Sequence, residues 1–141
     1  MTGDEIMNAA DGQVLAGKRF GPLSRTTLAL FAGASGDHNP MHIDIDFARK
    51  GGMEDVFVHG MLSMALLGRF LTEWAGRENL VRWGARFTAI TPVNATLICR
   101  AIDAGLTDSG NSLVTLEVVT DSGFKVLTGF AELSADLRGL T

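Results

Sequence analysis

Residues 60–74, Gly-Met-Leu-Ser-Met-Ala-Leu-Leu-Gly-Arg-Phe-Leu-Thr-Glu-Trp, decide the fold. Met61, Leu62, Met64, Leu66, Leu67, Phe70 and Leu71 surround the axis of a helix whose only charges, Arg69 and Glu73, come late. A helix apolar on nearly every side has to be wrapped by the rest of the chain. Gly76 is placed to end it as a C-terminal glycine.

Beyond that helix the period changes to two. Val81, Trp83, Ala85, Phe87 and Ala89 share one face, and Arg82, Gly84, Arg86 and Thr88 the other, which predicts a half-buried strand. Further strand-like runs cover 96–104, 112–120 and 125–134, the last two joined by the hairpin turn Asp121-Ser122-Gly123. Upstream, a short amphipathic helix begins after Ser24, carries Leu28, Phe31 and Ala32, and stops near Gly33 to Gly36. A polar loop from Asp37 to Asp46 follows, with Asp46 as N-cap of one turn ending at Gly51-Gly52. Consecutive strands favour an antiparallel sheet. The expected class is therefore α+β, a hot-dog fold in which an antiparallel sheet wraps a long central helix. Such a sheet leaves an edge open, so a homo-oligomer is expected.

At 141 residues and 15.0 kDa, residues 1–141 are read as a single domain. Cys99 stands alone, which rules out an intrachain disulfide or a cysteine-cluster zinc site and suits a reducing, cytoplasmic setting. Residues 1–11 show no basic and apolar export signal, and no run of 18 apolar residues occurs, so no membrane span is expected. A net charge of −4, with no basic stripe, argues against a nucleic-acid partner. Tyrosine is absent, and only His38, His42 and His59 titrate ordinarily near neutral pH.

The densest polar stretch is Ser35-Gly36-Asp37-His38-Asn39-Pro40-Met41-His42. A carboxylate and an imidazole five residues apart, across an Asn-Pro turn, can be aimed at one water by a folded loop. Proton transfers by such groups each contribute about 10² to 10⁴ in rate and need no cofactor. Each residue also has a structural reading: Asp37 as a turn residue accepting backbone N–H bonds, His42 as a ring packed on an apolar wall. His38 and His42 have the spacing of a helical zinc pair, but Pro40 interrupts them and no third ligand is apparent, so no metal is expected. G-x-S-x-G, P-loop and G-x-G-x-x-G patterns are missing from the sequence. Gly60, opening the central helix, offers either an unobstructed N–H at the positive helix end or a close-packing position. His59 reads as a hydrogen-bonding residue at the helix start, and Ser63 either lines the site or bonds back to the helix.

The run from Phe31 to His42, Phe-Ala-Gly-Ala-Ser-Gly-Asp-His-Asn-Pro-Met-His, with Ala48 six residues on, resembles the hydratase-2 motif of the MaoC-like family, S-G-D-x-N-P-(aliphatic)-H. The resemblance continues through Val58-His59-Gly60-Met61-Leu62, Arg86-Phe87-Thr88-Ala89 and Pro92-Val93. Met41 stands for a branched aliphatic, Ala34 for a larger residue, and Asn94-Ala95 for a Gly-Asp turn. The resemblance implies a hot-dog fold and reversible (R)-specific hydration of trans-2-enoyl thioesters without a cofactor. It also implies a catalytic pair, Asp37 and His42, with Asn39 supporting their loop and the Gly60 N–H meeting the thioester carbonyl; Ser63, one turn into the helix, is placed with Asn39 and Gly60 in the substrate-binding set.

The implied partners are an acyl-CoA or acyl-carrier-protein thioester and a second copy of the chain, or another hot-dog subunit in a heterodimer. A hydroxyacyl-carrier-protein dehydratase is the first alternative. A hot-dog thioesterase is disfavoured because the first acid on the central helix is Glu73, near its far end, and a non-catalytic acyl-binding subunit is disfavoured by the intact Asp37/His42 pair. Arg82, Arg86, Arg100 and Lys125 either meet carrier phosphates or form a solvated, ion-paired face. Gly60, Met64 and Gly68 form an i, i+4, i+8 row that either makes room for an acyl tail or lets the sheet approach closely.

Overall fold

The computed structural model describes residues 12–134; the 1–11 segment read above for export signals lies outside them. The chain forms β1 (Val14–Phe20), α1 (Arg25–Ser35), a 3-10 turn (Pro40–His42), α2 (Ile45–Lys50), α3 (Gly60–Ala75), a second 3-10 turn (Arg77–Asn79), β2 (Leu80–Phe87), β3 (Leu97–Leu106), β4 (Ser112–Thr120) and β5 (Lys125–Leu133). The strands make one sheet in the order β1-β3-β4-β5-β2, every neighbour antiparallel. It curls over α3, and the architecture is the α+β hot-dog fold.

The core follows from strand alternation. Leu97, Cys99 and Ala101 of β3, Val114, Leu116 and Val118 of β4, and Leu127, Ala131 and Leu133 of β5 meet Leu62, Leu67, Phe70 and Leu71 of α3. Burying such side chains contributes about 1.5 to 3 kcal/mol each before the entropy of ordering them is set against it. α3 ends where expected, at Gly76 with φ +84°.

Four expectations need correction. The wrap around α3 is incomplete, because Met61 is 57% exposed and Ala65 and Arg69 are exposed one and two turns on. The five strands cover one side only, leaving that stripe open. The short helix before α3 is capped by Asp44, not Asp46: Asp44 Oδ1 accepts the Asp46 N–H at 2.9 Å and the Phe47 N–H at 3.2 Å. Asp46 sits in the first turn instead.

β1 has no counterpart among the strands read from the sequence. Lys18 falls opposite Cys99, on the core side, and breaks the apolar period; its ammonium is taken up by Glu73 of α3. In β2, the alternation slips. Leu80 faces Leu133 while Arg82 faces Glu132, so Val81 is an extra residue bulged outward and 53% exposed. The strand ends at Phe87, before Ala89.

Candidate active site

The loop between α1 and α2 is wound by its own side chains. Gly36, at φ +79°, turns the chain out of α1, a conformation that glycine adopts without steric cost. Asp37 Oδ1 accepts the Asn39 N–H at 3.2 Å, and Asn39 Oδ1 accepts the Met41 N–H at 3.1 Å. Pro40 then opens the 3-10 turn that carries His42. These two consecutive side-chain turns bring the pair together, with Asp37 Oδ2 3.9 Å from His42 Nε2. The turn reading of Asp37 thus holds for one carboxylate oxygen, and the other is left for the site. Asn39 spends its side-chain oxygen on the loop. His38 is exposed and stands outside the cluster.

His42 is buried, and its Nδ1 lies 2.7 Å from the Phe57 carbonyl oxygen. A carbonyl only accepts, so Nδ1 carries a proton, and the ring turns Nε2 toward Asp37. At 3.9 Å the two groups are too far apart for a direct hydrogen bond, and both can address one oxygen atom placed beside them. Phe57 is itself held by a bridge to Pro92, and the Val58 N–H bonds the Thr91 carbonyl at 2.9 Å.

His59 is fully buried at the N-cap of α3, the helix-entry position expected of it, but its side-chain hydrogen bond goes to the preceding loop and not to the helix N–H groups. Its Nε2–H donates to the Asp37 backbone carbonyl at 3.2 Å, and its ring stacks on His42 with centroids 4.0 Å apart and planes 25° from parallel. Burial, together with the neighbouring His42, holds the His59 pKa below the ordinary imidazole value; the Asp37 backbone bond and charge pull weakly the other way.

Gly60 is the first residue of α3, where a backbone N–H has no intrahelical partner, and the positive end of the helix adds to its pull on negative charge. A Cβ at Gly60 would lie 3.1 Å from Phe87 Cε1, so the bare Cα also lets this ring close over the helix end. Beneath lies a cavity of about 170 Å³ lined by Phe57, Gly60, Ser63, Phe87, Val126, Leu127 and neighbours. The Ser63 hydroxyl is buried there without a hydrogen-bond partner among the described residues, so it does not bond back to the helix.

The other candidates fall elsewhere. Gly68 stands against Trp83, whose Cζ2 would lie 3.1 Å from an added Cβ; the row on α3 serves close packing there. Arg82 pairs with Glu132 at 2.7 Å, and Arg100 and Lys125 each reach Glu117 at 3.0 Å, which matches the ion-paired reading of these cations. Glu73 bonds Lys18 and Arg69, and these bonds hold its carboxyl below the usual range. Burial pushes the Cys99 thiol up to about 12, which disqualifies it as a nucleophile.

Asp37, His42 and His59 do offer ligand atoms within 4.8 Å of one another. One nitrogen of each ring is engaged by a carbonyl. His59 and Asp37 thus stand beside His42 as the further ligand candidates that were not apparent from the sequence.

The MaoC like domain pattern matches residues 8–123. The chain belongs to the MaoC-like domain family. It is 30% identical over 124 residues to the 3-hydroxyacyl-thioester dehydratase Z of Mycobacterium tuberculosis, covering 80% of this chain and 82% of that protein. It is 28% identical over 119 residues to an (R)-specific enoyl-CoA hydratase of Rhodospirillum rubrum, covering 83% of each. The fold superimposes on the unliganded R-hydratase PhaJ1 of Pseudomonas aeruginosa with a TM-score of 0.77 and 26% identity, over 92% of this chain and 84% of that one.

In this MaoC-like chain, Asn94 has φ +67° where the family pattern puts a glycine turn, a conformation that asparagine tolerates better than most residues. Two contributors to the site escaped the sequence. The Phe57 carbonyl carries no side-chain signal at all, and His59 could be singled out by its motif but not placed on His42.

Proposed function

We propose that this MaoC-like domain adds water to trans-2-enoyl thioesters, giving (R)-3-hydroxyacyl thioesters, and catalyses the reverse dehydration. The observation that carries the reading is the Asp37 Oδ2–His42 Nε2 pair, two groups of different basicity 3.9 Å apart beside the bare N-terminus of α3. One water sits against both. Asp37 and His42 share the removal of its proton and the delivery of a proton to carbon 2, as the oxygen bonds to carbon 3. Negative charge that develops on the thioester oxygen is met by the Gly60 N–H, a fixed donor that costs no reorganisation.

The cavity lined by Gly60, Ser63 and Phe87 takes the acyl group. Phe57 and Ile90 line both this cavity and a neighbouring groove of about 450 Å³ running past Met53 and Val93, which gives the carrier arm a route outward. The acyl carrier in this function is CoA. Because β2 is an edge strand and Val81, Phe87 and Phe130 beside it are exposed, the active species is a homodimer.

Incubating the protein with crotonyl-CoA and resolving the product by chiral chromatography tests this. The (R)-3-hydroxybutyryl thioester is expected; release of free CoA without hydration would support a thioesterase instead.

A further inference from the structure

The three consecutive residues Phe57-Val58-His59 touch both members of the proposed pair, each through a different group. The Phe57 carbonyl accepts from His42 Nδ1–H at 2.7 Å, and His59 Nε2–H donates to the Asp37 carbonyl at 3.2 Å. Their own backbone is pinned to residues 91–92 by the Phe57–Pro92 bridge and the Val58–Thr91 hydrogen bond. Loop 37–42 hangs from this segment at both ends.

We propose that His59 is a positioning residue, which sets the separation of Asp37 and His42 by clamping the Asp37 backbone while its ring backs the His42 ring. The inference rests on the hydratase reading of the same pair. An imidazole meets both demands at once. Its flat body fills the space between the His42 face, 4.0 Å from centroid to centroid, and Phe31, 4.9 Å away edge-on, and its single N–H reaches the loop. Asp37 and His42 are the titratable groups that act on the His59 ring; burial and His42 oppose its protonation more than Asp37 favours it. His59 contacts no reacting atom in this role and acts only through its two neighbours.

Two substitutions separate its two contacts. His59→Phe keeps an aromatic face and removes the N–H; His59→Gln keeps an N–H donor and removes the ring. With crotonyl-CoA, His59→Phe is expected to lower kcat by about 10- to 100-fold with KM changed less than about threefold, since small misplacements of reacting groups cost rate rather than binding. His59→Gln is expected to recover part of that loss. An unchanged kcat in His59→Phe, or a loss in KM alone, overturns the proposal.

A measurement on the wild-type chain needs neither variant nor turnover. Nitrogen-15 imidazole NMR is expected to find His59 in the Nε2–H form and His42 in the Nδ1–H form. A His59 in the Nδ1–H tautomer, with Nε2 bare, refutes the clamp even if hydration is confirmed. Correct tautomers in a chain that hydrates no enoyl thioester would instead count against the hydratase reading alone.

Discussion

The indole of Trp83, on β2, stands where a side chain at Gly68 would be: a Cβ there would lie 3.1 Å from Cζ2 and 3.2 Å from Cη2. Trp83 packs on the core beside Leu80 and Ala85 and is one of the contacts by which the edge strand closes against α3. Gly68→Leu should therefore force the sheet away from the helix. A loss of roughly 1 to 3 kcal/mol is expected in urea unfolding, the usual cost of overpacking. The preference among acyl chain lengths should stay the same, because the cavity beside Gly60 is not lined by Gly68. Comparing crotonyl-CoA with longer enoyl-CoAs in that variant checks this.

Acid should weaken the fold in two steps. His59 is held below its ordinary value of 6.5, so just under that pH the unfolded chain binds a proton that the folded chain refuses. Stability then falls with decreasing pH, by up to about 1.4 kcal/mol per unit for one such group, until folded His59 also protonates. Glu117 acts lower. Burial pushes its carboxyl up, but the bonds from Arg100 and Lys125 outweigh that and hold it below 4.5, so its contribution is present above that value and lost as pH drops through the folded pKa. Urea unfolding from pH 7 down to pH 2 in wild type and His59→Phe is the check. The variant should lose the first decline and keep the second.

Much of this was readable because the signals were local. Ser24, Gly36 and Gly76 bound their helices through capping chemistry that depends on a few neighbouring residues. The Asp37-to-His42 loop is wound by its own side chains, so its spacing could be read as a site. What failed depended on distant partners. Lys18 points at the core because Glu73 waits 55 residues away, and Val81 bulges because of how β5 pairs. Asp44 and Asp46 are equally good caps by composition, and the geometry of the preceding turn chose between them. The stacking of His42 on His59 is likewise a tertiary fact, set by two loops 17 residues apart in the chain.

A mass of at least twice 15.0 kDa is expected from light scattering at assay concentration. The edge of β2, unpaired among the described residues, and the exposed Met61–Ala65 stripe of α3 both call for cover. A fully active monomer would show that neither does.

The central claim is that Asp37 and His42 work as one unit on one water. Initial rates of crotonyl-CoA hydration, followed by loss of the enoyl thioester absorbance, should be compared for wild type, Asp37→Asn, His42→Ala and the double variant, each verified as folded by circular dichroism. Each single change should lower kcat by at least about 10²-fold, and the double variant should be little slower than the slower single, because groups acting together do not lose rate additively. A His42→Ala chain that hydrates at nearly the wild-type rate, or a double variant slower by the product of both losses, would contradict it.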